Sequence, residues 1–332
     1  MTKAVTESLA PDKYHWRAPF FAHSMPGALE FPKLTQDEMD LEIEQAAYAG
    51  IDYWAFVAYG PQNPMSRALD NYLSSRLRAK VKFCLFANLT NWGIKQSPSA
   101  DISKHLDLMQ TDSYVRVMGG RPLYFLGFID DAKIQARWGT VQALRNQIAN
   151  FRTQARARGL YDPYIVLGAN PSSINSLARQ LGGDAVGAYA FFDQVANGSY
   201  ADLSTIAWNG WRKLAESGLP VVPTVMAGWD RRPRVEHPVP WEPSQKPLVG
   251  MENYFQAGTP QEIAQQVSAA LAWISAQPLE HQAPAILIYA WNENDEGGWL
   301  IPTGACDHSR LKALHDARVI NQSEPEPFCG RY

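Results

Sequence analysis

Short apolar runs alternate along the chain with longer segments whose apolar residues recur every three or four positions. The short runs fall at 19–24, 51–59, 81–89, 122–129, 164–168, 185–190, 221–226 and 285–291. Several are apolar at nearly every position, which predicts strands covered on both faces, as in parallel sheets. The intervening segments carry helical stripes: Met39, Ile43, Ala46 and Ala47; Val141, Leu144, Ile148 and Phe151; Ile263, Val267, Leu271 and Ile274. Thr35 with Glu38, and Thr259 with Glu262, fit capping boxes at helix starts. Gly50, Gly159 and Gly218 fall where helices should end, in the place of a left-handed terminal residue.

Eight strand-then-helix units predict an α/β fold, a (β/α)8 TIM barrel. An open doubly wound sheet is the competing arrangement, but the glycine-rich phosphate turn it usually carries is missing after the first strand. The barrel is expected to occupy 1–332 as a single domain, with an N-terminal extension at 1–16, a long loop at 228–258 after strand seven and a C-terminal tail at 319–332. That loop is rich in Pro, Trp and charge, and long irregular loops tend to be functional.

Composition narrows the classes. A chain of 332 residues, 46% hydrophobic, can bury a large core. Its net charge of −3 and the lack of a basic run argue against nucleic acid as a partner. No apolar stretch is long enough for a membrane span, and the first residues do not read as a signal peptide, so the expectation is a cytoplasmic protein without a membrane partner. Cys84, Cys306 and Cys329 suggest neither a disulfide framework nor a zinc site, and Cys84, inside an apolar run, reads as inert core. His residues are few and show no HxH or HExxH pattern, against a metal-dependent barrel. No cofactor is expected.

Barrel active sites form at the C-terminal ends of the strands, so polar residues just past each apolar run are the candidates. Strand eight ends most abruptly, in Trp291-Asn-Glu-Asn-Asp-Glu-Gly-Gly-Trp299. Glycosidic cleavage commonly needs two carboxyl groups, one protonating the leaving oxygen and one acting on the sugar's other side. Glu293 and Glu296 are the catalytic candidates. In a continuing strand they would face opposite ways, and the Gly297-Gly298 pair lets the backbone turn so that both aim inward. Crowded carboxyls also raise one another's pKa, which suits one of them to be an acid. The expected carbohydrate-binding residues are His23, Tyr59, Asn88, Trp92, Asp193, Trp229, Asp230, Trp291, Asn292 and Trp299. Aromatic faces among them suit the C–H faces of sugar rings. Asp230, beside Arg231 and Arg232, also fits a structural ion pair, and Asp130-Asp131 reads as a helix cap.

The Trp291-to-Gly297 segment resembles the WNEWxEG motif of the glycoside hydrolase family 99-like barrels. Gly50-Ile-Asp-Tyr-Trp-Ala-Phe, Gly119-Gly-Arg-Pro-Leu-Tyr-Phe and Pro223-Thr-Val-Met-Ala-Gly-Trp-Asp-Arg-Arg-Pro-Arg resemble that family's second, fourth and seventh strands, in matching order. The resemblance implies a retaining glycosidase without metal or cofactor. It implies that Glu293 helps deprotonate the sugar 2-hydroxyl, giving an anhydro-sugar intermediate, and that Glu296 is the general acid, then base. Asn294 and Ile301 stand where relatives often carry Trp and Glu, so the family's α-mannoside specificity is not carried over. A non-catalytic glycan-binding barrel, or one serving polysaccharide assembly, is the alternative.

Overall fold

The computed structural model describes residues 2–60, 63–93 and 102–318. Its strands are β1 (His23–Met25), β2 (Ala28–Glu30), β3 (Tyr53–Val57), β4 (Lys82–Asn88), β5 (Arg116–Val117), β6 (Arg121–Gly127), β7 (Tyr164–Gly168), β8 (Ala185–Gly187), β9 (Thr224–Met226), β10 (Leu287–Tyr289), β11 (Asn292–Glu293) and β12 (Gly298–Trp299). Parallel pairing runs β3-β4-β6-β7-β8, and β9 pairs in parallel with β10. A parallel bridge between Val186 and Val221 joins the two groups. The ladder therefore follows chain order around the barrel, with a helix after most strands, as the alternation predicts.

The helix signals behave as expected. Thr35 with Glu38 and Thr259 with Glu262 form capping boxes, and Asp130 caps the helix Asp131–Trp138 through its contact with the Lys133 N–H at 2.7 Å. Gly50, Gly159 and Gly218 adopt positive φ. The stripes of the helices Gln36–Tyr48 and Val141–Ala157 are buried at Met39, Ile43, Leu144, Ile148 and Phe151. They belong to one large cluster that includes the barrel strands.

Two expectations are corrected. The run at 19–24 does not enter the barrel: Pro19 bridges Thr303 and His23–Met25 folds back on Ala28–Glu30 as an antiparallel hairpin. Three apolar residues followed by a Met-Pro-Gly turn make a hairpin arm rather than a strand covered on both faces. Cys306 is in a disulfide, whereas no disulfide was expected. Cys84 is free and fully buried, and burial pushes its thiol up, which leaves it inert. Cys329 and the expected tail at 319–332 lie outside the described residues. No described helix is long and apolar enough to cross a membrane.

Candidate active site

Past β10 the chain makes a tight antiparallel hairpin. Asn292 pairs with Trp299 and Glu293 with Gly298, around one turn of 3-10 helix at Asn294–Glu296. Gly297 closes the turn at φ +87°, and a Cβ there would stand 2.3 Å from the Asp230 nitrogen. That nitrogen donates to the Glu296 carbonyl at 2.7 Å, so the hairpin lies directly on the start of the strand-seven loop. Only glycine fits this contact and this φ together. The expected role of the glycine pair is thus met: the backbone turns, and Glu293 and Glu296 come to a common centre.

That centre is Arg234, on the short helix Arg232–Glu236 within the long loop. Its guanidinium donates to Asp295 through Nε at 2.7 Å and Nη2 at 3.0 Å, to Glu293 through Nη2 at 3.1 Å, and to Glu296 through Nη1. Glu242 adds a contact at 3.3 Å and also pairs with Arg231, whose Nε is 3.3 Å from Glu296. Two cations therefore face four carboxylates, Glu242, Glu293, Asp295 and Glu296. Tyr289 donates its hydroxyl to the other oxygen of Glu296.

The electrostatics follow from burial. Desolvation pushes the Glu293 carboxyl above the ordinary carboxylate value; Arg234 pulls it down and Asp295 pushes it up. Glu296 is also raised, by burial first, against Arg234 and Arg231. Burial opposes the charge on Arg234, but Asp295, Glu296 and Glu293 outweigh this and hold it charged. Tyr59 and Tyr189 are raised by burial and next by the negative charge of Glu293. Burial of more carboxyl than cation favours the neutral form of a carboxyl, the direction in which Glu293 and Glu296 are shifted.

A cavity of about 1470 Å³ opens above this cluster and is lined by Tyr59, Tyr189, Arg234, Trp291, Asn292 and Glu293. Of the residues expected to bind carbohydrate, Tyr59, Trp291 and Asn292 are therefore at the cavity. Trp291 donates to Glu42 at 2.7 Å. Trp229 does not line the cavity: it is half-buried, stacked on Phe192 at 3.9 Å and tilted against Tyr289 at 5.6 Å.

The others are elsewhere, each for a visible reason. Trp92 is 1% exposed, donates to the Tyr124 hydroxyl at 2.9 Å and packs on Phe151, so it is core. Trp299 is 3% exposed under the Arg310 guanidinium at 3.9 Å. The Asn88 side chain accepts from the Thr90 N–H at 2.9 Å and shapes its own turn. Asp230 is buried, bound by Arg17 at 2.6 Å and by Arg232 at 2.9 and 2.7 Å; desolvation is outweighed and its carboxyl is held below the usual range. It is the structural ion pair that its neighbours suggested. His23 is exposed on the β1–β2 hairpin and Asp193 is exposed past β8; neither lines the cavity.

Sequence reading passed over Arg234, Arg231, Glu242, Tyr189 and Tyr289. The signal was present for the arginines, in the Asp-Arg-Arg-Pro-Arg run of the loop, but a run of charges does not say which member turns inward. The N-terminal segment also braces the hairpin: the Asn294 side chain donates to the Arg17 carbonyl at 2.7 Å. Among the described residues no group of three or more His, Cys, Asp or Glu is arranged to hold a metal ion.

No family model and no curated protein matches the chain. Among solved structures, a GH99 endo-alpha-mannosidase from Bacteroides thetaiotaomicron matches with TM-score 0.57 and 14% identity, over 91% of this chain and 85% of that chain. A GH99 endo-alpha-mannosidase from the same organism, in complex with bis-tris-propane, matches with TM-score 0.51 and 14% identity, over 91% and 89%. A GH113 beta-1,4-mannanase gives TM-score 0.41 at 10% identity, over 86% and 94%. The fold is a GH99-like (β/α)8 barrel.

Proposed function

We propose that the chain is a retaining glycoside hydrolase acting on an oligosaccharide or polysaccharide, with Glu293 and Glu296 as its catalytic carboxyls. The observation that carries this reading is the gathering of both carboxyls on Arg234, with Arg234 and Glu293 in the wall of an aromatic-lined cavity and Glu296 buried behind them. Two carboxyl groups flanking one site are what glycosidic cleavage needs, and burial raises both carboxyls above the ordinary carboxylate value, the direction a proton donor requires.

In this mechanism Glu296 protonates the leaving oxygen and then, as the conjugate base, activates water. Glu293, the member that lines the cavity, accepts the proton of the sugar 2-hydroxyl as that oxygen attacks the anomeric carbon and the bond to the leaving oxygen breaks, and returns it when the activated water opens the anhydro ring. Arg234 keeps both carboxyls in place and limits the charge left behind as the proton moves. Tyr289 fixes the rotamer of Glu296 by its hydroxyl. Trp291 and Tyr59 offer flat faces to a sugar ring, and Asn292 offers amide hydrogen bonding. The domain assignment, one catalytic barrel with the 228–258 loop completing the site, is part of the same proposal.

A screen of natural glycans and aryl glycosides, followed by the stereochemistry of the product, tests it. Glu296→Gln is expected to lower kcat by about 10²- to 10⁴-fold on any substrate found, with the fold intact. Undiminished turnover in that variant ends the proposal. Glycan binding without hydrolysis by the unaltered chain would assign the non-catalytic, glycan-binding barrel instead.

A further inference from the structure

The helix Gln36–Tyr48 buries polar residues beside its apolar stripe. Met39, Ile43 and Ala46 face the core, and Glu38, Glu42 and Gln45 are buried next to them at helical spacing. Glu38 closes the capping box by accepting from the Thr35 N–H at 2.6 Å. Glu42 has no such local task. It is 5% exposed, and among the described residues its side chain accepts from the Trp291 indole at 2.7 Å and meets no cation. A buried carboxyl without a countercharge is costly, so its place on the helix calls for a use that an apolar residue could not serve.

That use lies at Trp291, two positions before Glu293. Glu42 and Trp291 both line the cavity, and the half-buried indole packs on Trp54 at 5.3 Å. The backbone of Trp291 is fixed separately: its carbonyl accepts from the Leu300 and Ile301 N–H groups, both at 2.9 Å. These bonds set where the side chain starts, and apolar packing has little directional preference. The indole N–H is the polar handle of the ring, and its hydrogen bond to Glu42 fixes how the ring is turned toward the cavity. The tie spans 249 positions, from a helix before β3 to the start of the acidic hairpin.

We propose that Glu42 is a positioning residue, which holds the Trp291 ring in one orientation so that its face is ready to stack on a sugar ring beside Glu293, a role that rests on the glycoside hydrolase reading. A ring fixed before substrate arrives spares the ordering cost that a free one incurs on binding. The effect therefore falls on affinity, while Arg234 holds Glu293 and Glu296 independently. An amide oxygen at position 42 can accept the same hydrogen bond, and a hydrocarbon side chain cannot.

Glu42→Gln, Glu42→Leu and Trp291→Phe test this in the whole chain, with Glu42→Leu repeated in the Trp291→Phe background. On a substrate from the glycan screen, Glu42→Leu is expected to raise KM about three- to tenfold with kcat within about twofold, and Glu42→Gln to stay within about twofold on both. Phenylalanine has no N–H to donate, so without Trp291 the Glu42→Leu change is expected to move KM by less than about twofold. An equal rise in KM with and without Trp291 would overturn the proposal, as would a Glu42→Gln defect as large as that of Glu42→Leu. The ring is also read without substrate, by fluorine NMR of the chain labelled with fluorotryptophan, where the Trp291 resonance is the one missing from Trp291→Phe. A single line that Glu42→Gln keeps and Glu42→Leu shifts or splits is expected; a line unmoved in Glu42→Leu would overturn the assignment. Glu42→Met serves as the hydrocarbon variant if the leucine chain does not fold. Because the NMR readout needs no turnover and Glu296→Gln is assayed alongside, failure of the hydrolase reading is told apart from failure of the Glu42 role.

Discussion

Arg234→Met takes the cation out from among four carboxylates and keeps much of the side-chain volume. The Arg234 side chain is 5% exposed and Asp295 2%, so their charges have almost no water to fall back on. Removing one partner of such a buried set costs about 3–5 kcal/mol. For a chain of 332 residues that corresponds to a melting-temperature drop on the order of 4–7 °C. The loss should depend on pH, with a sign fixed by linkage. Glu293 and Glu296 already titrate above their unfolded value, and without Arg234 they titrate higher still. The folded state then holds protons that the unfolded chain has released, so stability falls as pH rises from the unfolded pKa toward the folded one. The deficit of the variant is therefore expected to be small at the acid end of the range, where these carboxyls are protonated, and full at the alkaline end, where they are charged. Thermal unfolding of both proteins across that range measures it. An equal deficit at both ends, or one under about 1 kcal/mol, would refute the view that Arg234 serves as countercharge.

Glu42 gives a second pH signature: burial pushes its carboxyl from 4.5 up to about 7, with Trp291 pulling down and Glu38 pushing up. The unaltered chain should lose about 3 kcal/mol from this group as pH rises through that window, and Glu42→Gln should flatten that part of the stability curve. Gly297→Ala would place a methyl group 2.3 Å from the Asp230 nitrogen at φ +87°, and a loss above about 2 kcal/mol in denaturant unfolding is expected. Tyr59→Leu removes a flat aromatic face that lines the cavity; on a substrate found by the glycan screen, KM should rise by up to roughly tenfold with kcat little changed.

Much of the barrel was legible because strands covered on both faces and helices with capping boxes leave local marks. β7 reads directly from an unbroken apolar run, and Thr259 with Glu262 announce their helix. The Glu293–Gly297 hairpin was legible from its abrupt change of character and its glycine pair. What local pattern does not carry is the direction of a side chain in a loop. Arg234 and Asp230 sit four positions apart in one charged run, yet Asp230 closes an ion pair with Arg17 and Arg234 reaches the carboxyls. Trp92 and Trp299 show the same gap: an aromatic residue past a strand end faces the cavity or the core according to what packs on it, here Tyr124 and Arg310. The run at 19–24 was misplaced because three or four apolar residues read alike in a barrel strand and in a hairpin arm.

The placement of Arg234 has a temporal side. It lies 59 positions from Glu293 and 62 from Glu296 along the chain, on a separate loop. The acidic hairpin therefore stays electrostatically frustrated until residues 228–258 dock, and any excursion that lifts that loop would disarm the acids at the same moment. Docking of that loop and neutralisation of the hairpin are therefore one event, and lifting the loop would push the Glu293 and Glu296 carboxyls further up.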